Sequence, residues 1–208
     1  MFISHRINYL DNISANIFNE CDGIEFDIRD SNSQIIVQHD AFKEGQLFSD
    51  FIKYCPSNKF YIVNVKSEGI EYDAIRILES HNIYNFFLLD CSIPMIIKLG
   101  KSGETRIAAR FSEYESIYNI KALHKYIKWV WVDVFTTIPI TYDIFITIKR
   151  LNLNICFVSP ELQGQNDKLE KYIEYLKDNK ISLDAVCSKQ FNCSLWMQNF
   201  FSLSPCPN

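Results

Sequence analysis

The sequence predicts an α/β fold closed into a single (β/α)8 TIM barrel of parallel strands, on three observations. Apolar runs of strand length recur eight times, and segments of helical period lie between them. Strands alternating with helices imply parallel pairing through crossover connections. The glycine-rich phosphate turn of a doubly wound open sheet, the runner-up fold, is missing after the first strand, where the chain reads Arg6-Ile7-Asn8-Tyr9. At 208 residues the chain is one domain, 1–208, and a small variant, because such barrels usually need ~250 residues.

The eight strand candidates are 2–5 (FISH), 23–28 (GIEFDI), 59–65 (KFYIVNV), 85–90 (NFFLLD), 104–110 (ETRIAAR), 128–134 (KWVWVDV), 154–159 (NICFVS) and 183–187 (LDAVC). A short additional strand, 34–38 (QIIVQ), leads into His39. Helical segments include 71–80, 140–151 and 166–178. In the last, Leu169, Tyr172, Ile173 and Leu176 form an apolar stripe, and Asn166 or Asp167 is the expected N-cap. No linker or repeat divides the chain, and 202–208 reads as a frayed tail.

Composition removes several classes of function. A net charge of −4 without a dense Lys/Arg cluster argues against nucleic-acid binding. No apolar run approaches the ~18 residues of a membrane helix. No basic segment followed by an apolar stretch opens the chain, so no signal peptide is expected. Seven cysteines, an odd number without paired CxxC spacing, fit reduced thiols in a cytoplasmic protein better than a disulfide framework.

Barrel enzymes assemble their sites at the C-terminal ends of the strands. Unusual polar residues collect there: His5 and Arg6, Glu25 and Asp27, Asn64 and Lys66, Asp90, Arg110, Asp133 and Ser159. Strand parity puts Glu25 and Asp27 on one face and Ile24, Phe26 and Ile28 on the other. It likewise sets Ile62, Asn64 and Lys66 against Tyr61, Val63 and Val65, with the polar sets directed into the barrel mouth. Two carboxylates one strand repeat apart, ~7 Å, can share a cation, and oxygen-only ligands favour Mg²⁺ or Ca²⁺. A structural salt-bridge network with Arg6, Lys66 and Arg110 is the alternative. His5 and His39, each followed by a charged residue, suit acid–base work near neutral pH. Trp129, Trp131 and Tyr114 fit core or barrel packing and receive no role.

The order His5-Arg6, Glu25-x-Asp27, His39-Asp40 resembles the opening of the glycerophosphodiester phosphodiesterases and related phosphatidylinositol-phospholipase-like enzymes. The resemblance implies a TIM barrel and a metal-dependent phosphoric diester hydrolase of lipid or glycerophosphate metabolism. It implies His5 and His39 as the acid–base pair, with the order of their roles open, and Glu25 and Asp27 as metal ligands. Arg6 and Lys66 would hold phosphate, and Asp90, Arg110 and Asp133 would support the site. The family's third acidic ligand, two residues before its lysine, is Asn64 here, and Asp90 is the candidate to restore the missing charge. Only 18 residues separate Asp40 from Lys59, which leaves no long cap insertion and implies an open mouth. Beyond residue 70 the runs starting at Asp90, Arg110 and Val158 resemble small, divergent bacterial relatives. The expected substrate is a polyol- or glycan-linked phosphodiester. A non-catalytic binding module for a phosphorylated polyol or glycan is the alternative function, and a barrel lyase using Lys66 as a Schiff-base amine is a third. Oligomeric state is left open by the sequence.

Overall fold

The computed structural model describes residues 1–12 and 17–201, so the 202–208 tail lies outside the described residues. Eight parallel strands form the wall: β1 (Phe2–Ser4), β2 (Gly23–Ser31), β5 (Phe60–Val65), β6 (Phe86–Leu89), β7 (Ala108–Phe111), β8 (Trp129–Val132), β9 (Asn154–Val158) and β10 (Ala185–Ser188). Each pairs with the next, and β10 returns to β1 with Phe2 opposite Val186. The seam between β6 and β7 is held by a single parallel bridge, Leu88 to Ile107, with the Leu88 N–H donating to the Arg106 carbonyl at 2.9 Å. Closure removes the open doubly wound sheet from consideration. The fifth strand begins later than the sequence predicts, because Glu104 and Arg106 are engaged in a turn, where the Arg106 N–H donates to Glu104 at 2.7 Å.

The connection from β2 to β5 explains part of the small size. An antiparallel hairpin, β3 (Gln34–Val37) and β4 (Gln46–Leu47), extends β2 beyond the barrel. A four-residue helix, α2 (Phe48–Phe51), then covers the wall in place of a full helix; it follows α1 (Ile17–Glu20). Phe48 and Phe51 compensate by packing on Phe26 with ring centroids 5.7 and 5.0 Å apart. Each such fully buried ring is worth roughly 1.5–3 kcal/mol.

The longer helices are α3 (Glu71–Ser80), α4 (Ile93–Lys101), α5 (Ile117–Leu123), α6 (Tyr142–Arg150), α7 (Leu169–Asp178) and α8 (Cys193–Phe200). Ser92, Ser116 and Thr141 cap α4, α5 and α6 through their hydroxyls. The expected cap of α7 is corrected. Asn166–Lys168 forms a 3-10 turn and Lys168 holds the cap position, pinned by its ammonium to the Thr136 carbonyl and the Gln165 side chain, both at 2.7 Å.

Parity on the strands is as the pattern predicts. Ile24, Phe26, Ile28, Tyr61, Val63 and Val65 lie in the layer under the helices. Inside the barrel are Ile3, Ile62, Phe87, Ala108, Trp129, Trp131, Cys156, Val158 and Cys187. The two tryptophans are therefore barrel filling, whereas Tyr114 is exposed and stands tilted against Phe135, ring centroids 6.0 Å apart. The six described cysteines carry free thiols. Among the described residues, no helix is long and apolar enough to cross a membrane.

Candidate active site

The filled interior ends one layer below the C-terminal rim, and β2 supplies the first polar layer above it. Glu25 and Asp27 are fully buried on its inward face, and the register sets Asp27 opposite Asn64 of β5. Glu25 accepts from the Asn64 amide at 3.0 Å and from the Arg6 backbone N–H at 2.7 Å. Arg6 can present that N–H because its φ is +55°, a left-handed conformation that costs a non-glycine residue about 1–2 kcal/mol. Burial, then the neighbouring Asp27 charge, pushes the Glu25 carboxyl up to about 7.

Asp27 is held at both ends by Asn8, whose amide donates to Oδ2 at 2.8 Å while its carbonyl accepts the Asp27 N–H at 2.9 Å. The other oxygen, Oδ1, has no hydrogen bond, although the Lys66 ammonium lies 3.4 Å away without hydrogen-bond alignment. The Asn64 carbonyl oxygen is buried and unpartnered as well. Buried polar atoms are nearly always paired, so Asp27 Oδ1, which meets only the Lys66 charge, and the Asn64 carbonyl oxygen are, with Glu25, the atoms that could hold a cation. The donors are all oxygens, which fits Mg²⁺ or Ca²⁺. Among the described residues, no three His, Cys, Asp or Glu side chains cluster as a metal site, because the third position is an amide and Asp90 is committed elsewhere.

That commitment is an ion-pair chain across the mouth. Lys66 lies 3.0 Å from Asp90 Oδ2. Arg110 Nε lies 2.6 Å from Asp90 Oδ1, and its Nη1 pairs with Asp133. Burial raises the Asp90 carboxyl, but Arg110 and Lys66 outweigh it and hold the group below its ordinary value. Burial pushes Asp133 up to about 6, outweighing the Arg110 charge and the Gln163 hydrogen bond that pull it down. Beside this chain, a cleft of about 290 Å³ opens between α4 and α5, lined by Asp90, Arg110, Ile93, Glu115 and Asn119.

The histidines sit in different settings. His5 is largely buried, with Nε2 3.7 Å from Glu25 Oε2 and Nδ1 3.3 Å from the Lys189 ammonium. Burial, reinforced by the charges of Lys189, Arg6 and Lys66, pushes it down to about 3, so the His5–Glu25 contact at neutral pH is not an ion pair. An ammonium only donates, so Nδ1 carries the lone pair and the hydrogen is on Nε2. His39 follows β3 and is partly exposed, with Nδ1 2.8 Å from Asp40 Oδ1. The His39 hydrogen bond holds the Asp40 carboxyl below its usual range. A carboxylate only accepts, so here Nδ1 carries a hydrogen, and the neutral form of the ring has its lone pair on Nε2.

The predicted residues thus fall into contact as one mouth. His5, Arg6, Glu25, Asp27, Asn64, Lys66 and Asp90 meet directly, Arg110 and Asp133 join through Asp90, and His39 stands at the rim. Arg6 is half-exposed, its Nε 3.9 Å from Asp27. Ser159 is buried in a network with Glu161, Ser188 and the Trp196 indole. Asn8, Lys189 and Glu161 go unassigned in the sequence reading. The strand-end rule carried to the eighth strand, where the chain reads Ser188-Lys189, points to Lys189.

Comparison with solved structures defines the class of fold. The chain is similar to a glycerophosphodiester phosphodiesterase from Thermotoga maritima, with 14% identity, 95% of this chain and 96% of that one covered, and a TM-score of 0.63. It is similar to a glycerophosphoryl diester phosphodiesterase from Parabacteroides distasonis, at 11% identity, 100% and 88% coverage and a TM-score of 0.66. A glycerophosphodiester phosphodiesterase from Agrobacterium tumefaciens matches at 12% identity, 91% and 96% coverage and a TM-score of 0.64. No protein-family profile matches the sequence, and no curated protein matches it. The chain has the TIM-barrel fold of these glycerophosphodiester phosphodiesterase structures.

Proposed function

We propose that the protein is a divalent-cation-dependent phosphoric diester hydrolase that cleaves a small polyol- or glycan-linked phosphodiester. The carrying observation is the pairing of two buried, incompletely hydrogen-bonded oxygen ligands with two histidines of opposite hydrogen placement, on a glycerophosphodiester phosphodiesterase fold. A Mg²⁺ or Ca²⁺ ion held by Glu25, Asp27 and the Asn64 carbonyl would polarise a non-bridging phosphate oxygen and offset charge in the transition state.

The hydrogen-bond partners of the two histidines support separate roles. His39, oriented by Asp40, offers a bare Nε2 to take the proton of the attacking water or substrate hydroxyl. His5 offers an Nε2–H to the departing alkoxide. If the attacking hydroxyl is vicinal to the phosphorus ester, the product of the first step is a cyclic phosphate. Arg6 is free to turn its guanidinium to a phosphate oxygen. The side cleft at Arg110 and the short hairpin in place of a cap suit a substrate larger than the glycerophosphate unit. Free thiols fit a reducing compartment such as the cytoplasm.

A binding module is favoured by one observation, the amide at position 64 in place of a charged ligand. The Schiff-base reading of Lys66 is disfavoured by its placement between Asp27 and Asp90. Hydrolysis of bis(p-nitrophenyl) phosphate and of glycerophosphodiesters, with Mg²⁺, Ca²⁺ or Mn²⁺ and with EDTA, tests the proposal. Turnover abolished by EDTA and by His39→Ala is expected. Silence with every metal and substrate favours the binding module.

A further inference from the structure

The cations of the mouth are not equivalent. Lys66 bridges Asp27 and Asp90, at 3.4 and 3.0 Å, and Arg110 bridges Asp90 and Asp133. Arg29 donates to the carbonyls of His39 and Lys66, at 3.1 and 3.5 Å. Lys189 differs from all of these. Its ammonium meets only His5 Nδ1, at 3.3 Å, so among the described residues it has neither the carboxylate partner of Lys66 and Arg110 nor the paired carbonyls of Arg29. Lysine heads withdrawn from water generally find a partner, and an imidazole nitrogen supplies Lys189 a lone pair but no negative charge.

The backbone beneath Lys189 is built to keep the ammonium there. Glu161 is buried and accepts from the Ser188 hydroxyl at 2.5 Å and the Lys189 N–H at 3.1 Å. Its other oxygen takes the Ser159 hydroxyl, which is itself fixed by the Trp196 indole N–H at 3.0 Å. The carboxylate therefore clamps the main chain at the end of β10 and leaves the lysine head group to the mouth. Loops following the seventh and eighth strands are also where barrels of this class frequently seat phosphate.

We infer that Lys189 is an anion-binding residue of the mouth, the ammonium that holds a phosphate oxyanion of the ligand beside His5. The inference rests on the phosphodiester reading for the identity of the anion, and it moves the principal lysine contact from Lys66 to Lys189. Lys66 is then an internal counter-ion of Asp27 and Asp90.

Titration calorimetry with sn-glycerol 3-phosphate and with inorganic phosphate, in EDTA and again with Mg²⁺, tests it without requiring turnover. Lys189→Gln should lose affinity about tenfold or more, the loss of one charge-assisted hydrogen bond to the anion. Its melting temperature should stay near that of the wild type, and Lys189→Arg should recover most of the affinity. Lys66→Gln should lower the melting temperature, because it strips a partner from two carboxylates. Unchanged affinity in Lys189→Gln overturns the inference, as does absence of binding by the wild type under both conditions. Should Lys189→Gln not fold, lysine-methylated wild type provides the answer by NMR. The Lys189 signal, identified by its absence from Lys189→Arg, must shift on titration with sn-glycerol 3-phosphate, and a static signal overturns the inference. Binding that depends on Lys189 without hydrolysis of any diester would uphold the inference and defeat the hydrolase reading. Hydrolysis with a KM indifferent to Lys189→Gln would do the reverse.

Discussion

Asn64 answers two demands with one side chain: its amide nitrogen satisfies Glu25, and its buried carbonyl oxygen is left without a hydrogen bond. Asn64→Asp should therefore behave oppositely with and without metal. In EDTA it removes a donor and adds a buried charge beside Glu25, a loss of about 2–3 kcal/mol, visible as a melting temperature several degrees lower. Mg²⁺ should return the variant to wild-type stability or above. An equal loss in both buffers would mean that no cation sits at this position. Asp133 supports a second prediction. Its carboxyl is raised from 3.8 to about 6 in the fold, so the folded state binds the proton more tightly than the unfolded state. The resulting stabilisation is fully present below pH 3.8 and is lost as pH rises through 6, roughly 3 kcal/mol in all. Measured by urea unfolding, wild-type stability relative to Asp133→Asn should fall by most of that amount between pH 4 and 7. A difference independent of pH would show that Arg110 keeps Asp133 ionised throughout. Although Lys189 at the end of β10 goes unassigned, most charged residues of the mouth are legible in the sequence, because they stand on the inward parity of a strand or just past its end. Asn8 is not, because its value lies in a contact with Asp27 across 19 positions that only the β1–β2 register creates.

At the scale of elements, β2 carries the largest share of the site and also the tightest backbone approach. A Cβ on Gly23 would stand 1.9 Å from the Phe60 carbonyl oxygen, across the β2–β5 pairing. Gly23→Ala should force the two strands apart and cost about 3 kcal/mol, a fall of roughly 6–12 °C in melting temperature. A change of less than 2–3 °C, about 1 kcal/mol, would mean that the strands part easily there. The strands themselves are readable from their apolar runs, and the inward or outward sense of each residue follows from period two. Their ends are less readable. The fifth strand starts at the seam rather than at Glu104, since a side-chain pairing between Glu104 and Arg106 competes with the ladder. The cap of α7 is misplaced for a similar reason, as Lys168 is fixed by contacts with residues 32 and 3 positions away.

For the whole molecule, eight alternating strands and helices without a glycine-rich phosphate turn indicate a barrel, whereas its manner of closing depends on contacts between remote segments. The lone bridge from Leu88 to Ile107 makes the wall two arcs of four strands, joined by a regular ladder at β1–β10 and by little backbone pairing on the other side. The arcs meet in sequence at Ser102-Gly103-Glu104, where Gly103 has φ +93° and open space around it. A break in the covalent chain at that point severs no ladder within either arc. Two polypeptides, 1–103 and 104–208, should thus remain incompletely folded when kept apart and assemble into a one-to-one complex when refolded together, with the circular dichroism of the intact chain. Such complementation would make this protein a pair of half-barrels that happen to be synthesised as one.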